Sequence, residues 1–160
     1  MPGNTEYRGF NILYDESVNV LITPIKIIPI LTTDTAFSNV QFETMALWDT
    51  GATVTCIKPA LWDRLKMYSF NAADNFEISG VGGKIKTSYT LANLFLENSL
   101  EIEHCPIFML DFPGNADILI GMDIIGMGDF AICNTEKKTS FSFIIPPLPE
   151  RINFVEKLMK

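Results

Sequence analysis

The chain has 160 residues, of which 48% are hydrophobic and 19% charged, and its net charge is −7 at pH 7. That length suits one domain, and the composition fits a packed globule and excludes a disordered chain. The negative charge argues against nucleic acid as a partner, because phosphate binding needs clustered Lys and Arg.

No membrane span is expected. The most apolar run, Val18 to Leu31, is interrupted by Pro24, Lys26 and Pro29 and is too short and broken to cross a bilayer. The start, Met1 to Glu6, has neither a basic stretch nor an apolar core, so no leader is read there. Cys56, Cys105 and Cys133 are an odd, widely spaced set, which suggests reduced thiols and a cytoplasmic protein.

In chain order, Phe10 to Tyr14 and Val18 to Ile28 read as strands of a hairpin turned through Asp15-Glu16-Ser17. Thr32 to Ser38 reads as a polar turn. Gln41 to Trp48 is a strand whose period-two alternation puts Leu47 and Asp49 on one face and Ala46 and Trp48 on the other. Pro59 to Met67 is the best early helix, with Pro59 at its first position and Leu61, Trp62 and Leu65 on an apolar face. Asn71 to Asn75 is a loop. Phe76 to Ile78 and Lys84 to Leu91 are expected to form a hairpin through Ser79-Gly80-Val81-Gly82-Gly83.

Leu94 to Ile102 and Pro106 to Leu110 read as further strands, and Ile118 to Ile120 as a short buried one. Asp123 to Met127 suits a helical turn capped by Asp123. Phe130 to Cys133 and Thr139 to Ile145 form another expected hairpin, which Pro146-Pro147-Leu148-Pro149 ends. Glu150 to Lys160 is readable as a short helix, serving as surface packing, a dimer contact or a tail ordered only by crystallisation. There is no internal repeat.

The stretch Ala46-Leu47-Trp48-Asp49-Thr50-Gly51-Ala52-Thr53 places a carboxylate at the end of an apolar strand, just before a tight turn. A bare Asp-Thr-Gly arises by chance in roughly three per cent of chains of this length, and Asp49 alone would be read as a structural Asp in an Asx turn. Its context is more specific. A glycine-rich hairpin follows, Glu77 to Lys86, and then the apolar run Ile118-Leu119-Ile120-Gly121-Met122-Asp123.

In that order, these elements resemble the core of the retropepsin-like aspartic proteases, over roughly Val20 to Ile132. The resemblance implies an all-β fold: a closed retropepsin-like acid-protease barrel with one or two short helices, single-domain and homodimeric. It divides the chain into an N-terminal strand or hairpin extension over 1–19, a protease domain over 20–145, and a Pro-rich segment with a short helix over 146–160. One Asp-Thr-Gly per chain implies that two chains assemble the catalytic pair.

The implied activity is peptide-bond hydrolysis by an aspartic endopeptidase, with water activated between two Asp49 carboxylates on a two-fold axis. Thr50 and Gly51 would hold the turn, with Thr50 hydroxyls bonding across the dimer. Ala52, Thr53 and Leu119 would border the substrate, and Ser79, Gly80, Val81, Gly82 and Gly83 would form a flap over it. No cofactor or metal is implied. His104 and Cys105 are adjacent and would point to opposite faces of a strand, with no spaced ligand set beside them. The partners expected are a second copy and a peptide or protein substrate, with no nucleic acid and no membrane.

Retroviral members commonly carry an acid after the Asp-Thr-Gly-Ala and an Arg after the later Gly. Thr53 and Met122 stand there instead, a pattern similar to cellular and bacterial members. A catalytically silent dimer that binds peptides or proteins is the alternative, which an intact Asp-Thr-Gly argues against.

Overall fold

The computed structural model describes residues 6–70, 77–80, 83–153 and 155–156. Its centre is a closed barrel of six strands: β2 (Leu21–Pro29), β3 (Phe42–Trp48), β4 (Cys56–Ile57), β7 (Tyr89–Phe95), β8 (Glu101–Met109) and β9 (Ile118–Ile120), in the order β2-β3-β9-β4-β8-β7. Beside it lies a three-stranded sheet, in which β11 (Lys138–Ile145) is flanked by β1 (Arg8–Leu13) and β10 (Asp129–Thr135). A separate hairpin pairs β5 (Glu77–Gly80) with β6 (Gly83–Lys86). Two short helices, α1 (Pro59–Arg64) and α2 (Met122–Ile125), complete the regular structure. Among the described residues, no helix is long and apolar enough to cross a membrane.

Alternation makes the barrel. In β2, Leu21, Thr23, Ile25 and Ile27 are buried, while Pro24 and Lys26 face outward. In β7, Thr90, Ala92 and Leu94 are buried. Isoleucines from β2, β4, β8 and β9 are fully enclosed, as β-branched side chains suit a pleated, packed surface.

Trp48 joins the barrel to the second sheet. Its ring lies 4.9 Å from Phe141, 5.2 Å from Phe143, 5.9 Å from Phe10 and 6.0 Å from Phe130, centroid to centroid. Its indole N–H donates to the buried Thr23 hydroxyl at 2.9 Å, so the polar edge of the ring is not stranded in the core. Enclosing each such aromatic contributes about 2 to 3 kcal/mol.

Several sequence expectations are corrected here. Phe10–Tyr14 and Val18–Ile28 do not form a hairpin. β1 pairs antiparallel with β11 at the other end of the chain, and β2 pairs with β3 and β7. The aromatic cluster explains the change, since Phe10 must reach Trp48, Phe141 and Phe143. Leu94–Ile102 is not one strand. A 3₁₀ turn at Glu97–Ser99, with Asn98 and Ser99 both left-handed, separates β7 from β8. The arm read as Lys84–Leu91 splits at Thr87-Ser88 into β6 and β7. The early helix ends at Arg64 rather than Met67, because Lys66 turns to positive φ and Met67 bridges to Thr32.

The β10–β11 hairpin forms as expected, turned through Glu136 and Lys137, both left-handed, which matches the strand twist in a two-residue loop. Of the C-terminal helix read over Glu150–Lys160, residues 151–153 are irregular and 155–156 have helical backbone; the other positions from 154 onward lie outside the described residues.

Candidate active site

The site begins with a row of side chains across the barrel wall. Strand β9 runs parallel to β3, pairing Leu47 with Leu119, and antiparallel to β4, pairing Leu119 with Cys56. Cys56 in turn pairs with Phe108 of β8. Period two therefore sends Leu47, Leu119, Cys56 and Phe108 to one side, and the alternate residues Ala46, Trp48, Ile57, Ile118 and Ile120 into the main core. The first group forms a second apolar cluster with Ile78 and Phe112.

Asp49 stands just beyond this row. Its amide donates to the Ile120 carbonyl at 3.0 Å, which carries the β3–β9 pairing one residue past the strand. The chain then turns back, with the Ala52 amide donating to the Asp49 carbonyl at 3.2 Å and the Gly51 amide to Asp49 Oδ1 at 2.8 Å. This is an Asx turn, so the structural role that Asp49 alone would suggest is realised. The carboxylate is nonetheless half-buried rather than enclosed, and Oδ2 makes no hydrogen bond among the described residues. It is open to whatever enters the cavity.

The turn is fastened to the start of α2. Thr55 donates its amide to Asp123 Oδ2 at 2.8 Å and its hydroxyl to Asp123 Oδ1 at 2.7 Å. The same hydroxyl accepts from the Gly121 amide at 3.2 Å, and the Met122 amide donates to the Ala52 carbonyl at 2.8 Å. The expected cap on α2 is corrected in part: Gly121 occupies the N-cap position, while Asp123, one residue inside the helix, accepts from the Ile124 amide through Oδ1 at 2.9 Å as well as from Thr55. Together these bonds brace the turn that carries Asp49 against the start of α2.

A cavity of about 490 Å³ opens beside Asp49, lined among the described residues by Leu47, Asp49, Gly51, Ala52, Thr53, Val54, Cys56, Ile78, Ile85, Leu110, Asp111, Phe112, Pro113 and Leu119. It thus gathers Asp49, Gly51, Ala52, Thr53 and Leu119 into one place. Thr50 is exposed at the turn beside it. Ser79 and Gly80 end β5, and Gly83 begins β6 and pairs with Gly80; Gly83 has φ +103°, which glycine tolerates at no steric cost. Val81 and Gly82 lie outside the described residues. From this hairpin, Ile78 and Ile85 reach the cavity.

Sequence reasoning did not single out Thr55, Asp123 as a brace, or the wall made by Leu110 to Pro113. A second depression of about 540 Å³ lies around Lys26, Glu43 and Glu97. Its lining does not include Asp49, and its charged groups Lys26 and Glu43 are paired with each other at 3.3 Å, so it offers no comparable chemistry.

The thiol in the cavity wall is inert. Burial, and then the charge of Asp123, push Cys56 up to about 12, and the same two causes act on Cys105. Thiols pushed this far up stay protonated at pH 8, and the thiolate is the reactive form. A thiol reagent added to native protein at pH 8 is therefore expected to modify the exposed Cys133 rapidly, and Cys56 and Cys105 only as the protein unfolds. Fast modification of Cys56, read by peptide mass mapping, would contradict this wall.

The family model of the gag-polyprotein putative aspartyl protease matches residues 34–127, more than half of the chain. The chain belongs to this family. The match spans β3, the Asp49 turn, the β5–β6 hairpin, β9 and α2. The crystal structure of a retropepsin-like aspartic protease from Rickettsia conorii is similar with a TM-score of 0.52 at 9% identity, covering 88% of this chain and 97% of that one; at this identity the likeness is one of fold. The EIAV protease, solved with the inhibitor HBY-793, has a TM-score of 0.48 at 23% identity over 69% of this chain and 91% of that one. No curated protein matches. The expected retropepsin-like, all-β barrel with short helices is thus borne out.

Proposed function

We propose that this retropepsin-like chain is an aspartic endopeptidase, active as a homodimer in which each protomer contributes Asp49. The observation that carries the reading is the open Oδ2 of a half-buried carboxylate at the lip of an apolar cavity. A single carboxylate does not complete the chemistry, and the chain has one Asp-Thr-Gly. Two carboxyl groups about 3 Å apart share one proton, because like charges that close do not both ionise. The ionised partner takes a proton from water as the water oxygen bonds to the peptide carbonyl carbon, while the protonated partner donates to the carbonyl oxygen. The resulting gem-diol collapses with cleavage of the C–N bond as a proton reaches the leaving nitrogen. The pair titrates as a unit.

Each neighbour has a place in this reading. Gly51 and the Ala52 amide hold the turn, Thr50 is exposed where its hydroxyl meets its symmetry mate, and Thr53, Ala52 and Leu119 border the substrate. Ser79, Gly80, Val81, Gly82 and Gly83 cover it as a flap, excluding water once substrate is bound. Residues 20–145 form the protease domain, with extensions over 1–19 and 146–160. The three free cysteines suit a reducing, cytoplasmic compartment.

The test is cleavage of a broad peptide library between about pH 4 and 7, followed as protein concentration rises, with sedimentation velocity on the same samples. Activity per protomer is expected to climb with the dimer fraction and then level off. Cleavage at full specific activity by a monomer would overturn the shared site, and a stable dimer that cuts nothing would overturn hydrolysis.

A further inference from the structure

We propose that Asp111 makes the cavity selective for peptides that place a Lys or Arg side chain against its wall; this rests on the peptide-hydrolase reading and adds the substrate class to it. Asp111 lines the cavity that holds Asp49 and is exposed. It makes no hydrogen bond or ion pair with another described residue. The wall is otherwise mostly apolar, with Val54, Ile78, Ile85, Leu110 and Phe112 around it.

The loop that carries Asp111 is pinned on both sides. The Leu110 amide donates to the Ile57 carbonyl at 3.0 Å. Phe112 is buried under Lys58, whose Nζ lies 5.0 Å from the ring centroid and donates to the Gly114 carbonyl. Lys58 is the basic residue packed on this loop, and it is engaged with a ring face and a carbonyl instead of neutralising Asp111. On β6, Lys84 and Lys86 alternate with Ile85, and since Ile85 lines the cavity the two lysines fall on the opposite face of the strand. No cation from the described residues therefore offsets Asp111 in the cavity.

A Lys or Arg side chain fits this arrangement. Its methylene stem lies along apolar wall while its head reaches a carboxylate at the wetter edge. The net charge of −7 per chain also favours approach of cationic peptides at low salt.

Binding to the Asp49→Asn protein separates this charge from that of the catalytic pair and needs no turnover. The probes are short fluorescent peptides in which Lys, Arg or norleucine is scanned through every position, read by anisotropy at low salt. At one position, Lys and Arg are expected to bind about fivefold more tightly than norleucine. That preference is expected to vanish in Asp49→Asn/Asp111→Asn, to survive in Asp49→Asn/Asp111→Glu, and to shrink as salt is added. Equal binding of Lys and norleucine at all positions, or a preference that outlasts Asp111→Asn, overturns the proposal. Cleavage by the unmutated protein is scored separately: absent cleavage with the basic preference intact supports the role of Asp111 while removing the hydrolase reading.

Discussion

Asp49→Asn is expected to lower kcat by about 10³-fold or more while leaving fold and assembly intact. The asymmetry follows from the two oxygens. Oδ1 accepts from the Gly51 amide at 2.8 Å, and the Asn amide oxygen accepts the same bond, so the Asx turn survives. Oδ2 is the oxygen left open, and replacing it with NH₂ removes the group that accepts a proton from water. Stability is expected to change by less than about 0.5 kcal/mol, as for substitutions that break no buried network. Asp49→Ala differs: it also removes the acceptor for Gly51 and is expected to lose about 1 kcal/mol of stability on top of activity. The measurements are peptide turnover, urea denaturation and sedimentation on the same preparations. Asp49→Asn protein that cleaves at near the normal rate would end the aspartic-protease reading.

The elements around Asp49 were legible because local patterning and tertiary need agree there. The alternation that put Leu47 and Asp49 on one face of β3 is realised, with Ala46 and Trp48 in the core and Leu47 and Asp49 at the cavity. Ile118 to Ile120 was readable as buried because an apolar run that short suits a strand enclosed on both sides, and all of it is buried. The first hairpin failed for the opposite reason. Nearest neighbours in sequence usually pair, but here Phe10 pairs with Phe143, and no local pattern announces a partner at the far end of the chain. The turn at Asn98 and Ser99 was missed although a polar Glu97-Asn98-Ser99 break interrupts the apolar residues from Leu94 to Ile102, and Asn and Ser are turn formers. The cavity wall at Leu110 to Pro113 exists only because β8 and β4 pair in parallel, which brings the loop after β8 beside the residues around Asp49. Thr55 and Asp123 lie far apart in sequence, so their contact is likewise a product of the closed barrel.

That contact depends on a close backbone crossing, and Gly121 is where it can be broken. A Cβ built on Gly121 would lie 2.5 Å from the Val54 carbonyl oxygen and 2.6 Å from its carbon. Its φ of −95° is open to any residue, so an alanine would be opposed by contact alone and not by backbone strain. Both contacts are to backbone, which has no rotamer to yield, so relief requires β9 and the loop around Val54 to separate. Separation stretches the Gly121 amide from Thr55 Oγ1 and the Met122 amide from the Ala52 carbonyl. Gly121→Ala is expected to cost about 3 kcal/mol of stability, read as a lowered urea midpoint. Because those same bonds hold the turn carrying Asp49, turnover by the folded fraction is expected to fall as well. Gly128→Ala is the control, since its Cβ would meet the Ile144 carbonyl oxygen at 2.0 Å in the other sheet. It is expected to lower the midpoint while leaving turnover by the folded fraction near normal. If Gly121→Ala kept both midpoint and turnover, the brace would not be what positions Asp49. If it lost stability but kept turnover, the crossing would support the barrel without setting the geometry of the carboxylate.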